Sequence, residues 1–165
     1  MFTTLIHFSF LAIVLLLLPF GGQAAENDSL PIPRFVSIKS SEANARTGPN
    51  IRYPIQWVFI SKGEPVEILA EFEQWRKIRD KQGDIGWVHK TMLSGRRHIT
   101  VVGDKLNVLY SAPNNTSSPL LRVEPEVRGE LISCAKEWCQ IEISDTKGWI
   151  EKQYLWGIYQ NEESK

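Results

Sequence analysis

Most of the residues on which protein chemistry depends are scarce or missing in this chain. Its 165 residues contain only two cysteines, Cys134 and Cys139, and three histidines. One histidine, His7, falls in the leader-like start, and neither His89 nor His98 has a partner at metal-ligand spacing. There is no glycine-rich phosphate loop and no serine-elbow motif. Asp84 and Asp145 fall in hairpin turns, where capping the turn is reason enough for an aspartate. These absences point away from an enzyme and away from any metal or cofactor. A charge surplus is also lacking: 19 Lys and Arg balance 19 Asp and Glu, so the cationic footprint of a nucleic-acid binder is not present. No helical period is seen, and after residue 25 no apolar run is long enough to cross a bilayer.

What is present starts with a leader. Residues 1–25 hold a compact apolar stretch, Leu11 to Leu18, broken by Pro19, Gly21 and Gly22 and followed by small residues at Ala24 and Ala25. This is the pattern of a signal peptide, although its start carries no Lys or Arg; an uncleaved anchor is the alternative. The mature chain is therefore expected in the periplasm or outside the cell. In such an oxidising compartment Cys134 and Cys139, which flank a short turn, are expected to pair as a clamp on one hairpin. A reactive thiol pair is the competing reading.

The strongest signal is a duplication. Trp75, Ile78, a polar turn, then Gly86, Trp87 and Val88 return as Trp138, Ile141, a polar turn, then Gly148, Trp149 and Ile150. Pro49 and Pro113 occupy matching places ahead of each copy. Short alternating segments separated by turn residues predict an all-β fold of two tandem small barrels. The expected divisions are a signal peptide over 1–25, a linker over 26–33, a first small-barrel unit over 34–103, a second over 104–160 and a charged tail over 161–165. Within the first unit a final strand is expected over 96–102. The halves differ in charge: residues 26–103 carry 12 cationic against 9 acidic groups, and residues 104–165 carry 7 against 10. Ordinary scatter would give this, and so would two modules that attract each other.

Strand parity separates the tryptophans from the core. Trp75 alternates against Ile78, Trp138 against Ile141 and Ile143, Trp87 against Val88, and Trp149 against Ile150. If the aliphatic residues fill the barrels, the indoles lie on the opposite faces. There they either floor a ligand groove or pack beneath a folded-over loop.

The twice-repeated Trp-x-x-Ile, polar turn and Gly-Trp-(Val/Ile), with Asn44, Arg46, Gly48 and Pro49 before the first copy, resembles the bacterial SH3-like (SH3b) family from about Phe35 to Tyr159. The resemblance implies SH3-like barrels of five to seven strands without catalysis of their own, in a protein that binds peptidoglycan or peptides in the envelope. The polyproline groove of eukaryotic SH3 domains uses a strand-opening Trp, a Pro and a Tyr. Trp75 and Trp138 match the first position. His89 and Glu151 replace the Pro, and Met92 and Tyr154 fall at the third, so polyproline recognition is not implied. The candidate ligand-binding residues are Trp75, Trp87 and Tyr53 in the first copy and Trp138, Trp149 and Tyr154 in the second. Arg76 or Lys90 are candidates to meet ligand carboxylates. The competing reading is an adaptor whose modules dock on each other or on an envelope protein.

Overall fold

The computed structural model describes residues 30–163; the leader expected over 1–25 lies outside them. The described chain is almost entirely β, in two seven-stranded sheets. The first comprises β1 (Arg34–Ile38), β2 (Ala43–Arg46), β3 (Ile55–Phe59), β4 (Pro65–Phe72), β5 (Trp75–Arg79), β6 (Ile85–His89) and β7 (Leu93–Ser94). The second comprises β8 (His98–Val101), β9 (Asn107–Tyr110), β10 (Pro119–Val123), β11 (Arg128–Ala135), β12 (Trp138–Ile143), β13 (Thr146–Glu151) and β14 (Leu155–Trp156). Their spatial orders are β3-β2-β6-β5-β4-β1-β7 and β10-β9-β13-β12-β11-β8-β14, the same path traced twice. In each copy a single 3₁₀ turn, Lys90–Met92 or Lys152–Tyr154, leads into the last short strand. No helix among the described residues is long and apolar enough to cross a membrane.

The duplicated motif has a packing cause. Trp75 pairs with His89 across β5 and β6, and Trp138 pairs with Glu151 across β12 and β13, so the two hairpins share one register. Each Gly before the second Trp lies where a Cβ would collide with the core: 2.8 Å from Trp57 at Gly86, and 2.8 Å from Leu109 at Gly148. Glycine is required there because the strand passes too close to a neighbour for any side chain. Two apolar clusters then fill the barrels, one around Val66, Ile68, Ile78 and Val88, the other around Ile99, Leu109, Ile141 and Ile150. Each such aliphatic residue contributes roughly 1.5–3 kcal/mol on burial. Trp75, Trp87, Trp138 and Trp149 belong to neither cluster, as strand parity predicts.

One expectation needs correction. The strand foreseen over 96–102 does not close the first unit: β8 pairs with β11 and β14 and opens the second sheet. Its inward residues Ile99 and Val101, both fully buried, pack in the second cluster, so it is the counterpart of β1. Within the segment expected as a charged tail, Glu162 is tied to the second barrel. Glu162 is half-buried, its carboxylate accepts from Arg97 at 2.8 Å, and its backbone carbonyl accepts from the buried Lys152 at 2.6 Å.

The two barrels meet along an aromatic seam. Phe35 of β1 stands edge-on to Trp156 at 5.1 Å and tilted against Tyr159 at 4.9 Å, and the Arg97 guanidinium lies over its face at 5.8 Å. Hydrogen bonds cross the same seam: Trp156 Nε1 to the Pro65 carbonyl at 3.3 Å, Tyr159 to Glu67 at 2.8 Å, and the His98 N–H to Ser37 Oγ at 2.9 Å. Burial and the bond to Glu67 push the Tyr159 phenol well above its ordinary range. Ion pairs of both polarities flank it, Lys81 with Glu126 and Arg128 with Glu64 at 3.6 Å. The contrast in charge between the halves therefore does not set the polarity of these pairs.

Candidate ligand-binding site

On the first barrel an open cavity of about 320 Å³ lies beside the start of β2 and the end of β6. Its polar wall is Glu42, Asn44, Arg46 and His89; its apolar wall is Trp75, Ile51 and Met92. Strand alternation supplies the row. Ala43 and Ala45 of β2 point into the core, so Asn44 and Arg46, with Glu42 just before the strand, share the outward face. Trp75 closes the floor. It is only 8% exposed, and His89 meets it edge-on at 5.3 Å. Its indole is thus a packed wall with little face left for stacking.

The polar groups are held and largely unspent. Arg46 Nη1 donates to the Tyr53 carbonyl at 2.8 Å, and the guanidinium has no carboxylate partner among the described residues. The exposed Glu42 carboxylate forms no ion pair among them either. His89 Nδ1 lies 2.8 Å from Thr91 Oγ1 and accepts from the Thr91 N–H at 3.5 Å. That contact places the proton of the neutral ring on Nε2, which is left as a donor.

The structure does not gather the three first-copy candidates around one groove. Tyr53 is 46% exposed, its ring against Gly48, and it lines a neighbouring depression of about 420 Å³ with Pro49, Asn50, Arg52 and Phe72. Trp87 is half-buried on β6, opposite Lys77 and Arg46, and lines neither space. Arg76 is committed elsewhere, to Glu71 at 3.1 Å and to the carbonyls of Glu73 and Trp75. Lys90 is exposed and does not border the cavity. In the second copy Trp138 is half-buried and met edge-on by Tyr110 at 5.9 Å; Trp149 pairs with Tyr110 across the strands, and Tyr154 is 38% exposed. Sequence reasoning missed Glu42, Asn44 and Arg46. The signal was available in the alignment of the copies, where Leu106, Val108 and Tyr110 take their places.

Cys134 and Cys139 form a disulfide, facing each other across β11 and β12 within the second core. No cluster of three or more metal-ligating side chains occurs among the described residues.

A family model described as bacterial SH3 domain matches twice, over residues 39–95 and 103–157. The chain belongs to the bacterial SH3 domain family. No curated protein matches it. Similar solved structures include NlpC2 from Trichomonas vaginalis, at 13% identity and TM-score 0.37, covering 82% of this chain and 52% of that one. NlpC1 from the same organism matches at 15% identity and TM-score 0.35, over 77% of this chain and 46% of its own. An NlpC/P60 family protein from Bacillus cereus matches at 14% identity and TM-score 0.34, over 73% and 55%. The chain thus spans about half the length of these structures. Bacterial SH3 domains are in general binding modules, and the two copies here present different surfaces on one scaffold.

Proposed function

We propose that this chain is a non-catalytic binding module of the cell envelope, exported by its leader, that recognises peptidoglycan or an exposed peptide through the first barrel. The observation that carries this reading is the 320 Å³ cavity, in which an aromatic floor adjoins a carboxylate and a guanidinium that form no ion pair among the described residues. That volume is at the small end of the range for ligand sites, roughly 300–1,000 Å³. Trp75 serves as its wall and Tyr53 as the border of the adjoining depression, while Trp87 lies outside both. In the second barrel Trp138, Trp149 and Tyr154 form a secondary surface. The test is capture of the protein on purified sacculi and on immobilised stem peptides, comparing wild type with Arg46→Gln and Trp138→Ala. Loss of capture in Arg46→Gln alone supports the first barrel as the reader. Equal capture of all three proteins removes the cavity from the account.

A second reading, a structural adaptor, is favoured by the outer edge of the first sheet. There β3 carries exposed Ile55 and Val58 with no charged residue along the strand, a surface suited to pairing with a strand of an envelope protein. Cross-linking in the envelope from position 58, followed by identification of the adduct, distinguishes the two readings.

A further inference from the structure

The two copies differ at the cavity in a way that names its ligand. The strand that follows Glu42 is the counterpart of β9, because Arg46 and Tyr110 occupy equivalent places, opposite Trp87 and Trp149 respectively. Along that outward row, Glu42, Asn44 and Arg46 in the first copy become Leu106, Val108 and Tyr110 in the second. Across the sheet, His89 becomes Glu151. In the second copy Tyr110 lies against Trp138, whereas in the first the corresponding space is open and lined by charge. The row thus presents, in sequence, an anion just ahead of β2 and then an amide and a cation on the outward face of that strand. Its ends lie at most roughly 13 Å apart at the backbone, the reach of four fully extended residues at about 3.3 Å each.

We infer that the first barrel binds a short free peptide of about two or three residues, extended along this row and recognised by both of its charged ends. The inference rests on the cavity being the ligand site proposed above and narrows that reading to one chemical class. The peptide's ammonium group meets Glu42, its carboxylate meets Arg46 and the Nε2 proton of His89, and Asn44 hydrogen-bonds the peptide link between them. Small apolar side chains of the peptide lie against Ile51, Met92 and the edge of Trp75. A purely anionic ligand leaves Glu42 opposed, and a purely cationic one leaves Arg46 opposed. A zwitterion of this length satisfies both, and neither group has a competing ion pair among the described residues.

The test is a titration of the full exported chain, followed through its backbone amide resonances. The probes are alanyl-alanine and trialanine, each with free ends, with an N-acetyl cap and with a C-terminal amide. The expected result is movement of the Asn44, Arg46 and His89 amides with Val108 and Tyr110 unmoved, the second barrel acting as internal control. Either cap weakens binding about tenfold or more, as loss of one charge-assisted hydrogen bond requires. Glu42→Gln abolishes the penalty for acetylation only, and Arg46→Gln the penalty for amidation only; both changes are at the surface and leave the core intact. If capped and free peptides move the same amides with equal affinity, the zwitterion is wrong while the cavity stands as a site. If no amide moves but sacculi still capture the protein, the ligand class is again overturned. If neither peptides nor sacculi bind, both this inference and the function proposed above fall.

Discussion

The two β-hairpins that carry the repeated tryptophans solve one problem in two ways. In the second barrel Cys134 and Cys139 face each other and are covalently joined. In the first barrel the same register position holds Glu71 and Arg76, whose Oε1 and Nε are 3.1 Å apart, with Arg34 closing on the same carboxylate. A disulfide fixes the hairpin whatever surrounds it. An ion pair holds only while its neighbours stay in place, and so ties the hairpin to β1, where Arg34 begins the strand. The covalently closed copy has its outer face filled by Tyr110, and the ionically closed copy keeps an open cavity. Duplication has left this face filled on one barrel and open on the other.

That contrast can be broken at several points. The largest effect is expected from Trp75→Ala, because the side chain is nearly fully enclosed: a loss of about 3–5 kcal/mol in denaturant unfolding. The half-buried Trp138 should lose clearly less on the same substitution. Equal losses would show that the two indoles have the same structural duty after all. Next, replacing both Cys134 and Cys139 by Ser should cost about 2 kcal/mol, the entropy of so small a closed loop. Glu71→Gln in the first barrel should cost only about 1 kcal/mol, since a partly exposed ion pair gains little over water. Tyr159→Phe should cost about 1 kcal/mol by deleting one hydrogen bond of the seam, without altering the cavity amides in the titration above.

The smallest effect is one of pH. Burial pushes the Glu162 carboxylate up, but the hydrogen bond and charge of Arg97 overcome that and hold it below its ordinary value of 4.5. A depressed acid stabilises the fold above its unfolded pKa, and the contribution is lost as pH falls through the folded value. Glu162→Gln should therefore melt lower than wild type at neutral pH, and the two should converge below pH 4.5. At Glu64 burial, helped by the nearby carboxylates of Asp80 and Glu126, outweighs Arg128 and Lys81 and lifts the carboxyl above its ordinary value. There the sign reverses, and the stability gained with the proton on is lost as pH rises.

The chain's duplicated design was open to inspection before any coordinates, because the constraints behind it are local. Gly86 and Gly148 are required by backbone approach, Ile78 and Ile141 by the pleat, and the indoles are placed off the core by the same parity. The cavity was not open in that way. Nothing local distinguishes an unpaired arginine such as Arg46 from a paired one such as Arg76; pairing is decided by which strands become neighbours. β2 itself escaped notice because Ala43, Asn44 and Ala45 have little strand preference, and its extended form comes from pairing with β3 and β6. The misplaced β8 has the same origin: its residues announce a strand, and only its partners reveal to which barrel it belongs.

The sandwiching of Phe35 between Trp156 and Tyr159 bears on the order of events when the protein is made. Phe35 belongs to the opening strand of the described chain, and its two aromatic covers come from β14 and the segment just after it. A ribosome that has delivered the entire first barrel has produced an unfinished surface, with an oily ring still facing water. Completion waits for Trp156 and Tyr159, so the first barrel remains an intermediate until the second has been made, and a truncation that removes those two residues injures both barrels.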